Sequence, residues 1–188
     1  MRRYSLVGQS IRVARHTERT SGQALVEFAL VLLPLTLVLF GIIQFGFLFG
    51  GQTGLVNAAR EAARYAATLQ AADATTTTAD AAKTLTELTT KILPRSVPGY
   101  LSSNLVTTGP GSTAVCYFGY PNADGTTYSV RVRVQVAYRH PLYVPIVGTI
   151  VDTIDGTTDN ALKLGASEEM RVENPPLTAA PAGLPTCP

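Results

Sequence analysis

Histidine and cysteine are scarce in this chain, with two of each among 188 residues. Only His16 and His140 are available for acid–base or ligand work. Cys116 and Cys187 lie far apart and lack the close spacing of metal ligands. No Gly-rich phosphate loop and no serine-nucleophile elbow occurs. Asp152, Asp155 and Asp159 with Gly156 faintly suggest a calcium loop, but their spacing misses the EF-hand pattern, and turn-forming aspartates are the simpler expectation. The chain is therefore not expected to be an enzyme, and no cofactor, metal or small-molecule substrate is expected. Charge is thin as well, at 15% of residues. None of it falls between Phe28 and Phe49.

That uncharged stretch is the most informative part of the sequence. "ALVEFALVLLPLTLVLFGIIQFGFLF", residues 24–49, holds Gln44 as its one strongly polar side chain after Glu27. At 1.5 Å per residue it reaches roughly 39 Å, enough to span a hydrocarbon core of about 30 Å even with tilt. A cleaved signal peptide has an apolar region of only about 7–15 residues, so the run is too long for one. Glu27 stands at its head. A carboxylate deep in lipid costs roughly 2.5–3.5 kcal/mol, less at the edge, so its placement calls for either a headgroup position or a function.

The flanks differ in charge. Residues 1–22 carry Arg2, Arg3, Arg12, Arg15 and Arg19 against Glu18, a net +4, which leaves −2 for the remainder of a chain whose total is +2. Positive charge beside a span stays cytoplasmic. The N-terminus is expected inside and residues 51–188 outside, a single-pass arrangement. No aromatics interleave with the arginines to make a base-stacking surface, so nucleic acid is not an expected partner. On the outer side disulfides persist. A Cys116–Cys187 bridge would close a loop of about 70 residues, contribute about 4 kcal/mol, and staple the Pro-rich tail "NPPLTAAPAGLPTCP" to the domain. Two free thiols or an intermolecular pair remain alternatives.

The apolar run is expected to continue as helix through "LVNAAREAARYAATLQ" to about residue 72, with Glu61 and Arg64 on one face. The threonine tract in "ATTTTAD" reads as a hinge or loop. From Asp80, the spacing of Ala82, Leu85, Leu88 and Ile92 predicts a second short helix ending near Leu93, before Pro94. "TYSVRVRVQVAYR" alternates strictly, with Val130, Val132, Val134, Val136 and Tyr138 on one face and Arg131, Arg133 and Arg139 on the other, and predicts a half-buried strand. "STAVCYFGY" precedes it across the Asp124-Gly125 turn as the first arm of a hairpin. "LKLGASEEMRVE" predicts a third strand with Leu162, Leu164, Met170 and Val172 on one face. Glu168 interrupts that face, which suggests a bulge near Gly165. Arg131 and Arg133 are expected on a solvated face, balanced by Glu169 or Glu173. "HPLYVPIVGTIV" reads as a loop over the sheet edge or a contact surface. The fold class is α+β: a long N-terminal helix, a short second helix and a small antiparallel sheet.

Small residues recur every fourth position along the first helix: Gly46, Gly50, Gly54, Ala58, Ala62 and Ala66. Such spacing lets helices approach closely in lipid. At 100° per residue the stripe winds through roughly 200°, which suits several helical neighbours better than one. Pro34 removes the hydrogen bond to Leu30 and loosens or kinks the helix there.

"G-QALV-EF", from Gly22 to Phe28, with a basic arm before it and the apolar run after it, resembles a type IV prepilin processing site. "GQALVEFALVLLPLTLVLFGIIQFG", then "NAAREAARYA", then "ALKLGASEEMRVE" together resemble the TadE-like family, small pseudopilins of the tight-adherence (Tad/Flp) pilus system. That family usually has a glutamate or other polar residue near the place of Gln44, and the Cys187 tail has no counterpart in it. The resemblance implies cleavage by prepilin peptidase between Gly22 and Gln23. Glu27, followed by Phe28, would then pair with the new amine of Gln23 on a neighbouring subunit and set the register between subunits. It also implies membrane lipid, the peptidase and other pilin subunits as partners, in the cytoplasmic membrane or a surface pilus. The expected organisation is a cleaved basic leader (1–22), a transmembrane helix (23–50), its extension outside the membrane (51–72), an extracytoplasmic α+β domain (73–174) and a Pro-rich tail (175–188). The implied function is a minor pilin-like subunit acting in pilus assembly, adhesion or secretion. The alternative is an uncleaved single-pass anchor that displays a binding domain.

Overall fold

The computed structural model describes residues 20–69, 74–156 and 158–173. The chain divides into two units between Phe40 and Gly41. The described part of the first unit is wholly helical, the N-terminal portion of α1 (Thr20–Thr68). Leu25, Phe28, Leu30, Leu33, Leu35 and Val38 are all exposed on it, so it is apolar on every side, as a helix solvated by lipid would be. The helix runs unbroken through Pro34, and the Thr36 hydroxyl donates to the Leu32 carbonyl at 2.7 Å.

In the second unit the rest of α1 packs on a three-stranded antiparallel sheet with β2 in the centre: β1 (Ala114–Pro121), β2 (Tyr128–Pro141) and β3 (Ala161–Arg171). Paired alanines make the close approach. Ala58 and Ala59, Ala62 and Ala63, Ala66 and Ala67 recur each turn and are buried against Val130, Val132, Val134, Val136 and Tyr138 of β2. Leu88, Ile92, Leu93 and Val97 complete this core from the second helical segment. The strand register puts Val132 between Tyr117 and Met170, and Arg133 between Cys116 and Glu169. The α+β architecture and the alternation in β2 are as the sequence implies. On the outer face Glu169 takes both Arg131 (3.2 Å) and Arg133 (3.3 Å), and these guanidiniums lie over the rings of Tyr120 and Phe118.

Several local expectations are corrected. The threonine tract is not a hinge: it lies inside α2 (Ala74–Glu87), and the first helix ends at Thr68. Thr77 is fully buried, and tertiary packing outweighs the modest helix penalty of threonine. Further along, Thr86 and Thr90 satisfy their hydroxyls on the Ala82 and Thr86 carbonyls, four residues back. Nor does the helix end before Pro94. It widens into a π turn (Leu88–Ile92) in which Leu93 N–H reaches the Leu88 carbonyl, then continues as α3 (Leu93–Ser96). Pro94 directly follows the π turn, so its missing donor falls where the regular helical ladder is already interrupted.

"HPLYVPIVGTIV" is not a loop either. It contains α4 (Pro145–Asp155), begun by Pro145 and ended by Gly156 in the left-handed conformation at φ 73°. β3 has no bulge at Gly165, since its pairing with β2 runs without interruption from Ala161 to Arg171. Glu168 keeps its place on the core side because Arg60 of α1 meets it at 2.8 Å. Glu61 pairs with Arg95 at 3.0 Å, and this ion pair ties α1 to α3.

Candidate functional site

The residues of the prepilin-like motif stand on the first turns of α1. Gly22 has nothing within 4 Å of where a side chain would begin. Glu27 and Phe28 are exposed. One turn apart, the Gln23 amide donates to the Glu27 carboxylate at 3.0 Å. The carboxylate therefore has one neutral partner within its own chain and lone pairs left over for another.

The small-residue stripe divides. Ala58, Ala62 and Ala66 are fully buried in the chain's own core, and Gly54 lets α1 lie against the backbone of Ser96, whose carbonyl a methyl group there would overlap. These four positions are spent on the sheet and on α3, where close packing demands small residues. Gly46 and Gly50 remain, with nothing within 4 Å of either.

Gln44, near the C-terminal end of the apolar run, has a role that the sequence reading missed. Its side chain is buried, and Oε1 accepts hydrogen bonds from the amides of Tyr143 (2.9 Å) and Val144 (3.0 Å). Val144 is the N-cap position of α4 and contributes no side-chain cap of its own. A glutamine from α1 thus serves the N-cap amide of α4, which no helical carbonyl can reach, and the amide just before it. Its Nε2 is buried without a partner among the described residues. Phe47 meets Tyr143 edge-on at 5.2 Å beside this junction. The signal was the isolation of Gln44: a lone amide among aliphatic and aromatic residues needs something to bond.

A second missed contact lies about two turns further on. Gly51 faces the ring of buried His140, which would collide with any Cβ there. His140 Nδ1 is 3.0 Å from the Pro141 carbonyl, and burial holds the imidazole pKa below its usual value. Tyr117 donates to the Ala66 carbonyl at 3.2 Å, and burial pushes its phenol up to about 12 against the opposing effect of Thr84.

The remaining expected residues have structural partners. Asp152 accepts from the Asn160 amide (3.3 Å), while Asp159 accepts from the Ala161 amide (3.2 Å) and pairs with Arg139 (3.5 Å). Cys116 is buried, with Sγ 3.7 Å from the Arg133 carbonyl. The expected Cys116–Cys187 bridge ends at a residue outside those described, as do the basic leader and the Pro-rich tail.

The first helix is long and apolar enough to cross a membrane, consistent with a membrane anchor, and its far half is built into the core of an α+β domain. Residues 22–64 match the family model of TadE-like proteins, a pilus-related family. The match takes in the motif, the apolar run and the first two alanine pairs. No curated protein and no solved structure matches the chain.

Proposed function

We propose that this chain is a minor pilin-like subunit of a Tad/Flp-type pilus, held in the cytoplasmic membrane by α1 with its domain outside, and cut by prepilin peptidase between Gly22 and Gln23. The TadE-like match over residues 22–64, beginning at the glycine of the motif, carries the reading. Gly22 sits in the first turn of α1, where amides lack helical acceptors and unwinding into an extended peptidase substrate costs least. Cleavage leaves an ammonium on Gln23, one turn from Glu27. Two lone charges entering an apolar assembly would each be costly, and a hydrogen-bonded pair much less so. Glu27 of one subunit paired with the Gln23 amine of the next would then fix their axial offset. Other pilin subunits are the partners of this step, in pilus assembly, adhesion or secretion.

Intact mass and N-terminal peptide mapping of membrane-extracted protein, from cells with and without a working prepilin peptidase, test this. Loss of residues 1–22 only where the peptidase is present is the expected result. Full-length protein in both would replace the reading with an uncleaved single-pass anchor that displays a binding domain.

A further inference from the structure

The isoleucines of α4 point outward. Ile146, Ile150 and Ile154 are 51%, 56% and 81% exposed, although the opposite side of the helix is packed, with Gly148 against Asn160 and Val147 and Val151 half-buried. Spaced four apart, the three occupy a sector of about 80°. Between them stand Thr149 and Thr153, and both hydroxyls are turned back onto the helix's own backbone, donating to the carbonyls of Pro145 (3.0 Å) and Thr149 (2.7 Å). This sector therefore shows no unsatisfied hydroxyl and no cation.

The start of α4 is fixed to the apolar run of α1. Gln44 binds the amides of Tyr143 and Val144, which lead into it, and Phe47 touches Tyr143. Gln44 precedes Phe49, the end of the apolar run, by five residues, or about 7.5 Å along the helix. Interfacial helices bury an apolar face about 5–10 Å into the headgroup–acyl boundary. Phe47 continues the apolar surface from Tyr143 onto α1, and Phe45 and Phe49 keep that level of α1 apolar on other sides. Tyr143, half exposed beside them, is of the type that collects at membrane–water boundaries.

We propose that α4 is a second membrane contact, seated in the boundary of the bilayer with Ile146, Ile150 and Ile154 among the upper acyl chains. The inference rests on α1 being a membrane span. Its occupant is lipid, held by apolar burial: with no lysine or arginine on that face, anionic headgroups are not required. The domain is then held to the surface at two places, and leaving the membrane requires withdrawing both.

The chain contains no tryptophan, so each substitution to tryptophan gives a single reporter. The test uses the full chain in phosphatidylcholine vesicles, with Ile150→Trp, Ile146→Trp, Phe45→Trp in the span and Leu101→Trp on an exposed loop. Blue-shifted emission from both isoleucine variants, quenched by a shallow lipid-attached quencher, is expected, with Leu101→Trp unshifted and unquenched. Quenching of Phe45→Trp without quenching of either α4 variant would overturn the α4 proposal and leave the span intact. If those α4 emissions were nonetheless blue-shifted, another copy of the chain would be covering the face in place of lipid. Absence of quenching in all variants would remove the span itself.

Discussion

The Oε1 atom of Gln44 lies 3.0 Å from the amide nitrogen of Val144, a hundred residues later in the chain, and closes the start of α4 from another element. Replacing Gln44 with leucine should leave buried amides unpaired and cost about 1–3 kcal/mol. Hydrogen exchange should become faster at the amides of 143, 144 and 146–148 while the strands keep their protection. Gln44→Glu keeps an acceptor in place and should restore most of that protection, since the Nε2 it gives up has no partner among the described residues.

The divided glycine stripe predicts opposite outcomes for the same substitution. Gly54→Ala forces a methyl into the Ser96 carbonyl, and overpacking of this kind costs about 1–3 kcal/mol, more than the ~1 kcal/mol that alanine gains in helix propensity. Gly50→Ala and Gly46→Ala meet open space and should leave domain stability level or slightly raised. Denaturant unfolding in detergent micelles separates the two cases. If bulkier residues at Gly46 or Gly50 impair assembly, the defect should appear in subunit association and not in the fold.

Tyr117 predicts the alkaline limit of the domain. Its phenol keeps its proton to about 12 when folded, whereas an unfolded tyrosine releases it near 10. The associated stability is fully present below pH 10 and drains away as pH rises through 12, a change of about 2–3 kcal/mol at 1.36 kcal/mol per unit. Tyr117→Phe should lose about 1 kcal/mol at neutral pH, with the bond to Ala66, and should flatten this alkaline decline. Stability curves of the two proteins between pH 9 and 12 check the difference.

His140 acts at the other end of the pH scale. Its folded pKa lies below the unfolded value of 6.5, so its contribution is intact above 6.5 and is lost as pH falls through the depressed folded value. Unfolding midpoints should drop between neutral and mildly acidic buffer. His140→Phe should show a shallower drop. Its larger ring against Gly51 makes the slope with pH, not the absolute midpoint, the informative quantity.

The alternation from Val130 to Tyr138 and the alanine-rich continuation of α1 were legible because each states its own period. What escaped depended on a partner distant in sequence. Glu168 looked like a defect in β3 until Arg60 supplied the counter-charge, and Ala58, Ala62 and Ala66 carried no mark saying whether their close neighbour was another subunit or their own sheet. α4 was hidden by prolines that suggested a loop, although Pro145 and Gly156 bracket it as a helix start and stop. The site is uneven in the same way. The motif from Gly22 to Phe28 is written in consecutive residues, but the bond of Gln44 to α4 spans half the chain.

Between Gly51 and Ala66, α1 is keyed to the domain at successive levels: Gly51 under His140, Gln52 to the Gly165 carbonyl at 3.0 Å, Gly54 against Ser96, Arg60 to Glu168, and Ala66 to Tyr117. A rod keyed at so many heights cannot slip lengthwise by one turn without breaking all of them together. Axial force on this stretch is therefore shared across the whole sheet, and the domain follows its rod as a single towed body, with no slack in the coupling.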